Sequence, residues 1–149
     1  MQPVVQPPTL GILYSSTAIA TGDLLEGRVR AIDGTLDMVL AKPRELGGSG
    51  HAPGHDPFQL LAAANSASFL AALLAVRSHD RPPLPPDAAV QATVEFGLRE
   101  DGGFGLEITL GVKLPGIEQA EAATLMEKAR HICSLCDATR KEVLRFKVV

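Results

Sequence analysis

The residues best suited to chemistry in this sequence are two cysteines three positions apart, Cys133 and Cys136. Two such thiols can form a redox pair, and together with imidazole groups they can bind Zn²⁺. A Cys-x-x-Cys pair is reactive when a helix N-terminus lowers a thiol pKa. The helix predicted here ends beside the pair, so its dipole is expected to raise the thiol pKa instead. The pair is therefore either a redox centre or two reduced, half-buried thiols.

Three histidines are candidate partners of those thiols in a metal site. His131 lies two residues before Cys133, and His51 and His55 lie in a loop rich in glycine. Imidazole and thiolate ligands together suit Zn²⁺, and the alternative is a solvated loop whose histidines bind nothing. We predict no bound metal and no cofactor.

Ser68 is a third candidate, because it lies among apolar residues in the middle of a predicted helix. A polar atom buried there must be hydrogen-bonded, either to its own helix or within a site. No nucleophile-elbow motif and no evident general base accompany Ser68, so hydrolase chemistry is not predicted.

The element that must position these residues is a long helix predicted over residues 56–79. Asp56 suits the N-cap and Pro57 suits the first helical position. No charged residue occurs between Phe58 and Val76, so nearly every face is apolar and the helix should lie in the middle of the structure. The many alanines and the polar residues within it argue against a membrane span.

Alternating apolar residues and turn signals predict the other elements. Three strands over 9–21, 28–32 and 35–40 precede the helix, with a hairpin turn at Asp33 and Gly34. An antiparallel hairpin (90–98 and 104–114), a helix from 117 to about 131, a turn over 133–140 and a strand over 143–149 follow it. The predicted fold is α/β, of the α+β kind, with antiparallel sheets wrapped around the long helix. Six strands cover an uncharged helix only in part, which predicts an intertwined homodimer.

Composition limits the class of protein. The chain has 149 residues, of which 46% are hydrophobic, and a net charge of −3. These values predict one domain over residues 1–149, without a basic surface for nucleic acid. Residues 1–8 lack the features of a signal peptide and should form an extended arm, and two cysteines are too few for a secreted disulfide fold. We therefore expect a cytoplasmic protein that binds neither nucleic acid nor membrane.

Segments in order along nearly the whole chain resemble the OsmC/Ohr family, the osmotically inducible and organic hydroperoxide resistance proteins, and lie closer to the Ohr branch. They are L-Y-S-S-T-A-I-A-T-G (13–22), G-R-V-R (27–30), D-G-T-L-D (33–37), K-P-R-E-L-G-G-S-G (42–50), D-P-F-Q-L-L-A-A (56–63), F-G-L-E-I-T-L-G-V-K-L-P-G (104–116) and H-I-C-S-L-C-D-A-T-R (131–140). The resemblance implies an intertwined α/β dimer with two sheets wrapped around two central helices.

The resemblance also implies reduction of organic hydroperoxides by a peroxidatic cysteine on the central helix. In the family, a resolving cysteine after the second helix closes a disulfide that lipoylated partners reduce, and an arginine and a glutamate activate the thiolate. On this sequence the peroxidatic cysteine falls on Ser68, the glutamate on Phe58 and the arginine on Leu24 or Leu25. Only the resolving cysteine is kept, as Cys133.

These replacements predict a homologue that has left the family's standard mechanism. A serine hydroxyl is a weaker nucleophile than a thiolate and forms neither a sulfenic acid nor a disulfide. Little or no hydroperoxide turnover by the standard route is therefore expected. Redox chemistry would rest on Cys133 and on Cys136, which stands where the family usually has serine.

The same replacements make the predicted pocket more apolar. Its expected lining residues are Phe58, Leu24, Leu25 and Phe69. An apolar hydroperoxide or another small apolar ligand is the expected partner. The alternative is a non-catalytic homologue that holds an apolar ligand or a metal in the same dimer pocket.

Overall fold

The computed structural model describes residues 11–23, 27–51, 53–78, 82–138 and 147. It divides into two compact units, Met1–Pro57 and Phe58–Val149, called here the N-terminal and C-terminal units. The predicted arm over 1–8 lies outside the described residues, as does the predicted strand over 143–149 apart from Lys147. The single domain over 1–149 stays a prediction.

The N-terminal unit contains an antiparallel sheet of three strands in the order β1-β2-β3. The turn predicted at Asp33 and Gly34 joins β2 to β3, and Gly34 there adopts a φ of 75°. The Asp33 carboxylate stabilises the turn by accepting hydrogen bonds from the Thr35 N–H (3.0 Å) and hydroxyl (2.7 Å). The strands are β1 (Ala18–Thr21), β2 (Arg28–Ala31) and β3 (Asp37–Val39).

Both outer strands are shorter than predicted, because pairing and not propensity sets their ends. β2 pairs only with residues 18–21 of the strand predicted over 9–21, and residues 11–17 are not part of the strand. At β3, Thr35 is held in the turn by Asp33. Leu40 forms an isolated bridge with His55 instead of continuing the strand.

The glycine-rich segment over 41–55 is a loop, as predicted, that leaves the sheet and returns to it. It contains one short 3₁₀ turn, Arg44–Leu46, and it ends where the His55 N–H donates to the Val39 carbonyl at 2.9 Å. A β-carbon at Gly48 would lie 1.8 Å from the Lys42 carbonyl oxygen. Only glycine therefore allows this close approach of two backbone segments.

The C-terminal unit consists of helices packed with one antiparallel hairpin. The first helix begins at Pro57, as predicted, and ends at Arg77, where a proline-rich segment follows. The hairpin pairs Leu98 with Phe104 at its turn. The Glu118 side chain caps the next helix by accepting a hydrogen bond from the Ala120 N–H at 3.1 Å. The elements are α1 (Pro57–Arg77), β4 (Ala89–Leu98), β5 (Phe104–Lys113), α2 (Gln119–Ile132) and α3 (Ser134–Ala138).

One apolar cluster joins α1, α2 and the hairpin. Val90, Leu110 and Val112 of the hairpin pack against it, and their alternation along the strands follows the predicted period of two. Its buried members are Phe69, Ala72, Leu73, Leu84, Leu125, Ala129 and Cys133.

The turn end of the hairpin has the same apolar face but little cover. The residues there are Phe96, Leu98, Phe104 and Leu106, which are 37%, 75%, 67% and 52% exposed. The prediction of one buried face is thus met only at the end of the hairpin away from the turn.

Helix α1 is buried on one face only within the described chain. Phe69, Ala72 and Leu73 are buried, whereas Leu74 is 51% exposed. By length and composition alone α1 could cross a membrane, since it has 21 residues and is strongly apolar. Core helices pass the same test, and α1 supplies three of the cluster residues.

Two polar side chains of α1 are buried, and both are paired. The Asn65 side-chain amide donates to the Leu61 carbonyl at 2.9 Å. Arg77 donates through Nε to the Pro82 carbonyl and through Nη1 to Glu121 Oε1, both at 2.6 Å. Arg77 therefore ties the end of α1 both to the following segment and to the first turn of α2.

Replacing Arg77 with methionine keeps an apolar stem but removes both hydrogen bonds and leaves Glu121 without this cation. The Arg77 side chain is 8% exposed, so we expect R77M to lower the free energy of unfolding by about 2–3 kcal/mol. Urea denaturation at one protein concentration measures the loss. The matched control is R130M, because Arg130 and Glu127 pair while 64% and 58% exposed, and a clearly smaller loss is expected there because water screens the pair. Equal losses would contradict the structural role of Arg77.

Candidate functional site

Ser68 and Cys133 meet where α1 packs beside the end of α2. The Ser68 Oγ lies 3.8 Å from the Cys133 Sγ, although the residues are 65 positions apart. Ser68 is half-buried and its neighbour Phe69 belongs to the apolar cluster. Ser68 was predicted either to hydrogen-bond to its own helix or to belong to a site. The structure places its hydroxyl in contact with a different element, at Cys133.

Cys133 lies between two helices. Its N–H donates to the Ala129 carbonyl at 2.9 Å and closes α2, and its own backbone is extended, with φ −71° and ψ 107°. The chain then starts α3 at Ser134, where a turn was predicted. The Cys136 N–H donates to the Cys133 carbonyl at 3.1 Å. The three-residue spacing thus becomes one helical turn.

The pKa of the Cys133 thiol is lowered below its ordinary value. Burial is the largest influence and raises this pKa, since the residue is 3% exposed. Hydrogen bonds from the Cys136 thiol and N–H, the Ser68 hydroxyl and the Leu135 N–H outweigh burial, because they favour the thiolate. The expectation that the α2 dipole would raise this pKa is therefore wrong, since the N–H groups that open α3 face the sulfur.

Cys136 has different surroundings from Cys133. It is half-buried and borders a surface cavity of about 510 Å³. Arg130 borders the same cavity, and its pKa is raised mainly by its hydrogen bond to Glu127. The cavity is lined by Phe69, Leu110, Ala123, Met126, Glu127, Arg130 and Cys136.

The predicted pocket residues lie in different places. Phe69 is buried and lines the cavity beside Cys136. Phe58 stacks on Phe96 with ring centroids 5.1 Å apart, and Phe96 stacks on Phe104 at the same distance. Leu24 and Leu25 lie outside the described residues. Phe58 therefore contributes to an aromatic stack along the hairpin.

The histidines proposed as metal ligands do not gather with the thiols in the described part of the chain. His131 is exposed and its Nε2 lies 3.2 Å from Glu127 Oε1. His51 and His55 belong to the N-terminal unit. Within residues 11–23, 27–51, 53–78, 82–138 and 147, no three His, Cys, Asp or Glu side chains form a group that could hold a metal ion.

Two features of the site escaped sequence reasoning. Helix α3 was missed, although a spacing of three between the cysteines is also that of one helical turn. Arg130 was not among the predicted site residues. Its place in the last turn of α2, three residues before Cys133, was the available signal that it lies near the site.

Comparisons with known proteins identify the family. Residues 48–147 match the family of OsmC-like proteins. An organic hydroperoxide resistance protein from Xanthomonas axonopodis pv. citri is 40% identical over 132 residues, which cover 89% of this chain and 91% of that protein. The chain therefore belongs to the OsmC/Ohr family, which confirms the resemblance found in its segments.

Solved structures confirm the α+β fold class with antiparallel sheets. An organic hydroperoxide resistance protein from Elizabethkingia anophelis has a TM-score of 0.79 and 37% identity, covering 89% of this chain and 92% of that one. The organic hydroperoxide resistance protein OsmC from Legionella pneumophila has a TM-score of 0.78 and 35% identity, covering 87% and 92%.

Removing the Ser68 hydroxyl tests its effect on the thiol. We expect S68A to raise the pKa of Cys133, because the thiolate loses one donor. The thiolate absorbance near 240 nm, followed against pH in a C136A background, should then reach half its maximum at a higher pH. The matched control is S66A, since the Ser66 hydroxyl donates to the Ala63 carbonyl at 3.0 Å on the same helix. The hydrogen bond from Ser68 to the Cys133 thiolate would be contradicted if S68A left the titration curve unchanged. The same would follow if S66A shifted the curve equally.

Proposed function

We propose that this protein reduces apolar organic hydroperoxides through Cys133 and Cys136, in place of a thiol on α1. The observation that carries the proposal is the 3.8 Å separation of Ser68 Oγ and Cys133 Sγ. Ser68 occupies the position of the family's peroxidatic cysteine, as the resemblance of its segment implies. A sulfur able to be oxidised therefore lies beside the place where the family's chemistry begins.

Cys133 is the first nucleophile in this proposal. The thiolate is the reactive form of cysteine, and the donors around Cys133 favour it. The Cys133 thiolate attacks the terminal oxygen of the hydroperoxide and the O–O bond breaks. The alkoxide leaves and takes up a proton to become the alcohol, and Cys133 becomes a sulfenic acid. Ser68 is placed to donate a hydrogen bond to an oxygen bound at this sulfur.

Cys136 resolves the sulfenic acid. Its thiol hydrogen-bonds to Cys133, so the two sulfurs are already in contact. Attack by the Cys136 sulfur forms the disulfide and releases the oxygen as water. A thiol reductant then supplies two electrons and two protons, which restore both thiols.

Oxidation of the pair by one equivalent of cumene hydroperoxide tests the proposal. We expect wild-type protein to lose two hydrogen atoms by intact mass and to yield cumyl alcohol. C136S should instead gain one oxygen at Cys133, because nothing resolves the sulfenic acid, and C133S should not react. Because Cys133 is 3% exposed and does not line the 510 Å³ cavity, the hydroperoxide reaches its sulfur only when the packing opens locally. The reaction is therefore expected to be slow and is followed to completion.

The control variant in this experiment is S66A. S66A keeps both cysteines and Ser68, and should behave as wild type. The role of Cys133 would be refuted if Cys133 and Cys136 stayed reduced at the end of the incubation. It would also be refuted if C133S still formed cumyl alcohol.

The alternative is a non-catalytic homologue that binds an apolar ligand. The cavity of about 510 Å³ beside Phe69, Leu110 and Met126 favours it, since its walls are mainly apolar. An unoxidised pair together with binding of cumyl alcohol, measured by calorimetry, would support this alternative. The metal-binding form of the alternative has no support in the described residues.

The proposal includes a cytoplasmic homodimer whose residues 1–149 form one domain and which binds neither nucleic acid nor membrane. Apolar surface left uncovered in the described chain supports the dimer, because contiguous exposed apolar patches mark interfaces. On the hairpin this surface consists of Phe96, Leu98, Phe104 and Leu106. A net charge of −3 supports the absence of nucleic acid.

Sedimentation velocity tests the dimer. The molar mass obtained for the wild-type protein should be twice the chain mass of 15.7 kDa. L106E places a charge on the uncovered face and should give single chains. The matched control is T109E, since Thr109 is exposed on the opposite face of the same strand, and it should stay dimeric. Wild-type protein that sediments as a single chain would contradict the dimer.

A further inference from the structure

The two sulfurs of the proposed disulfide differ in access. Cys133 is 3% exposed and is not among the residues that line the 510 Å³ cavity. Cys136 is half-buried and lines it, together with Phe69, Leu110 and Met126. Of the two cysteines, Cys136 is therefore the one that a molecule entering this cavity meets.

We propose that the reducing thiol attacks Cys136 from this cavity, so that the mixed disulfide forms on Cys136 and Cys133 is the leaving group. The inference rests on the proposed function, which supplies the disulfide. The reductant thiolate bonds to the Cys136 sulfur, the bond between the two cysteines breaks, and its electron pair stays on Cys133. A second reductant thiol then attacks the mixed disulfide, releases Cys136 and leaves the reductant oxidised.

The surroundings of Cys133 suit a leaving group. Negative charge that arrives on this sulfur meets the Ser68 hydroxyl and the N–H groups of Leu135 and Cys136. A thiol of lower pKa leaves faster in disulfide exchange. Departure of Cys133 is therefore favoured by the same donors that favour its thiolate before oxidation.

The cavity also selects the kind of reductant. Its walls include the aromatic ring of Phe69 and the apolar side chains of Leu110 and Met126. Arg130, which also lines the cavity, is paired with Glu127 at 2.8 Å. An apolar thiol gains by burying its body against these walls. We expect benzyl mercaptan to open the disulfide about tenfold faster than glutathione at equal thiolate concentration.

The regiochemistry of exchange tests the inference directly. The disulfide is made with diamide, so that its formation does not depend on a hydroperoxide. After brief reaction with benzyl mercaptan, acid quenching and alkylation, tandem mass spectrometry of the tryptic peptide 131–140 locates both groups. We expect the benzyl adduct predominantly on Cys136 and the alkyl group on Cys133. An adduct on Cys133, an even mixture, or failure of diamide to join the two cysteines would overturn the inference.

Narrowing the cavity supplies a second test with a matched control. A123F places a ring in this cavity on an exposed helix position and should slow reduction by benzyl mercaptan about tenfold. A120F makes the same substitution on the same helix, where Ala120 lines a different cavity beside Arg77 and Lys128, and should leave the rate unchanged. No effect of A123F on folded protein would overturn the cavity route, whatever the adduct position.

The results separate the two proposals. A diamide-made disulfide that opens at Cys136, in a protein that cumene hydroperoxide leaves reduced, would support this inference and refute the proposed function. A pair that the hydroperoxide oxidises, but whose disulfide is attacked at Cys133, would support the proposed function and refute this inference.

Discussion

The packing of α1 against the end of α2 is the constraint on which the rest of the site depends. Ala72 of α1 and Ala129 of α2 are 7% and 0% exposed in the same apolar cluster. At this packed junction the Ser68 Oγ lies 3.8 Å from the Cys133 Sγ. Without this packing, Cys133 would have only the donors that its own neighbours in sequence provide.

Burial and hydrogen bonding act in opposite directions on the pKa of Cys133. Burial opposes the thiolate, and the donors that overcome it are a hydroxyl, a thiol and backbone N–H groups. Hydrogen bonds from neutral donors are about half as strong as those from a cation. A centre that uses an arginine, as the family resemblance implies, stabilises its thiolate more. Neutral donors alone therefore stabilise a thiolate at Cys133 less than an arginine would.

Long elements followed from the sequence, whereas only some of the short ones did: β2 was predicted to within one residue, but the ends of β1 and β3 and the existence of α3 were not. Helix α1 begins at the predicted Pro57, and the hairpin turns between Leu98 and Phe104 as predicted, because many residues repeat one period in each. Strand β1 covers only Ala18–Thr21, since its length depends on β2. Helix α3 has five residues, too few for a period to show. Burial of α1 was expected from its lack of charged residues, and within the described chain only one face of the helix is buried.

The sequence by itself determined which residues could do chemistry, because residue type and spacing are local properties. It paired Cys133 with Cys136 and, through the family segments, placed Ser68 at the peroxidatic position. Only the tertiary structure decided the direction of the Cys133 pKa shift and which cysteine borders the cavity. The pKa depends on burial and on donors from α3 and α1, including Ser68 across 65 residues. The cavity depends on the packing of Phe69 and Leu110 with α2. No periodic pattern encodes a distance between two helices that are remote in the chain.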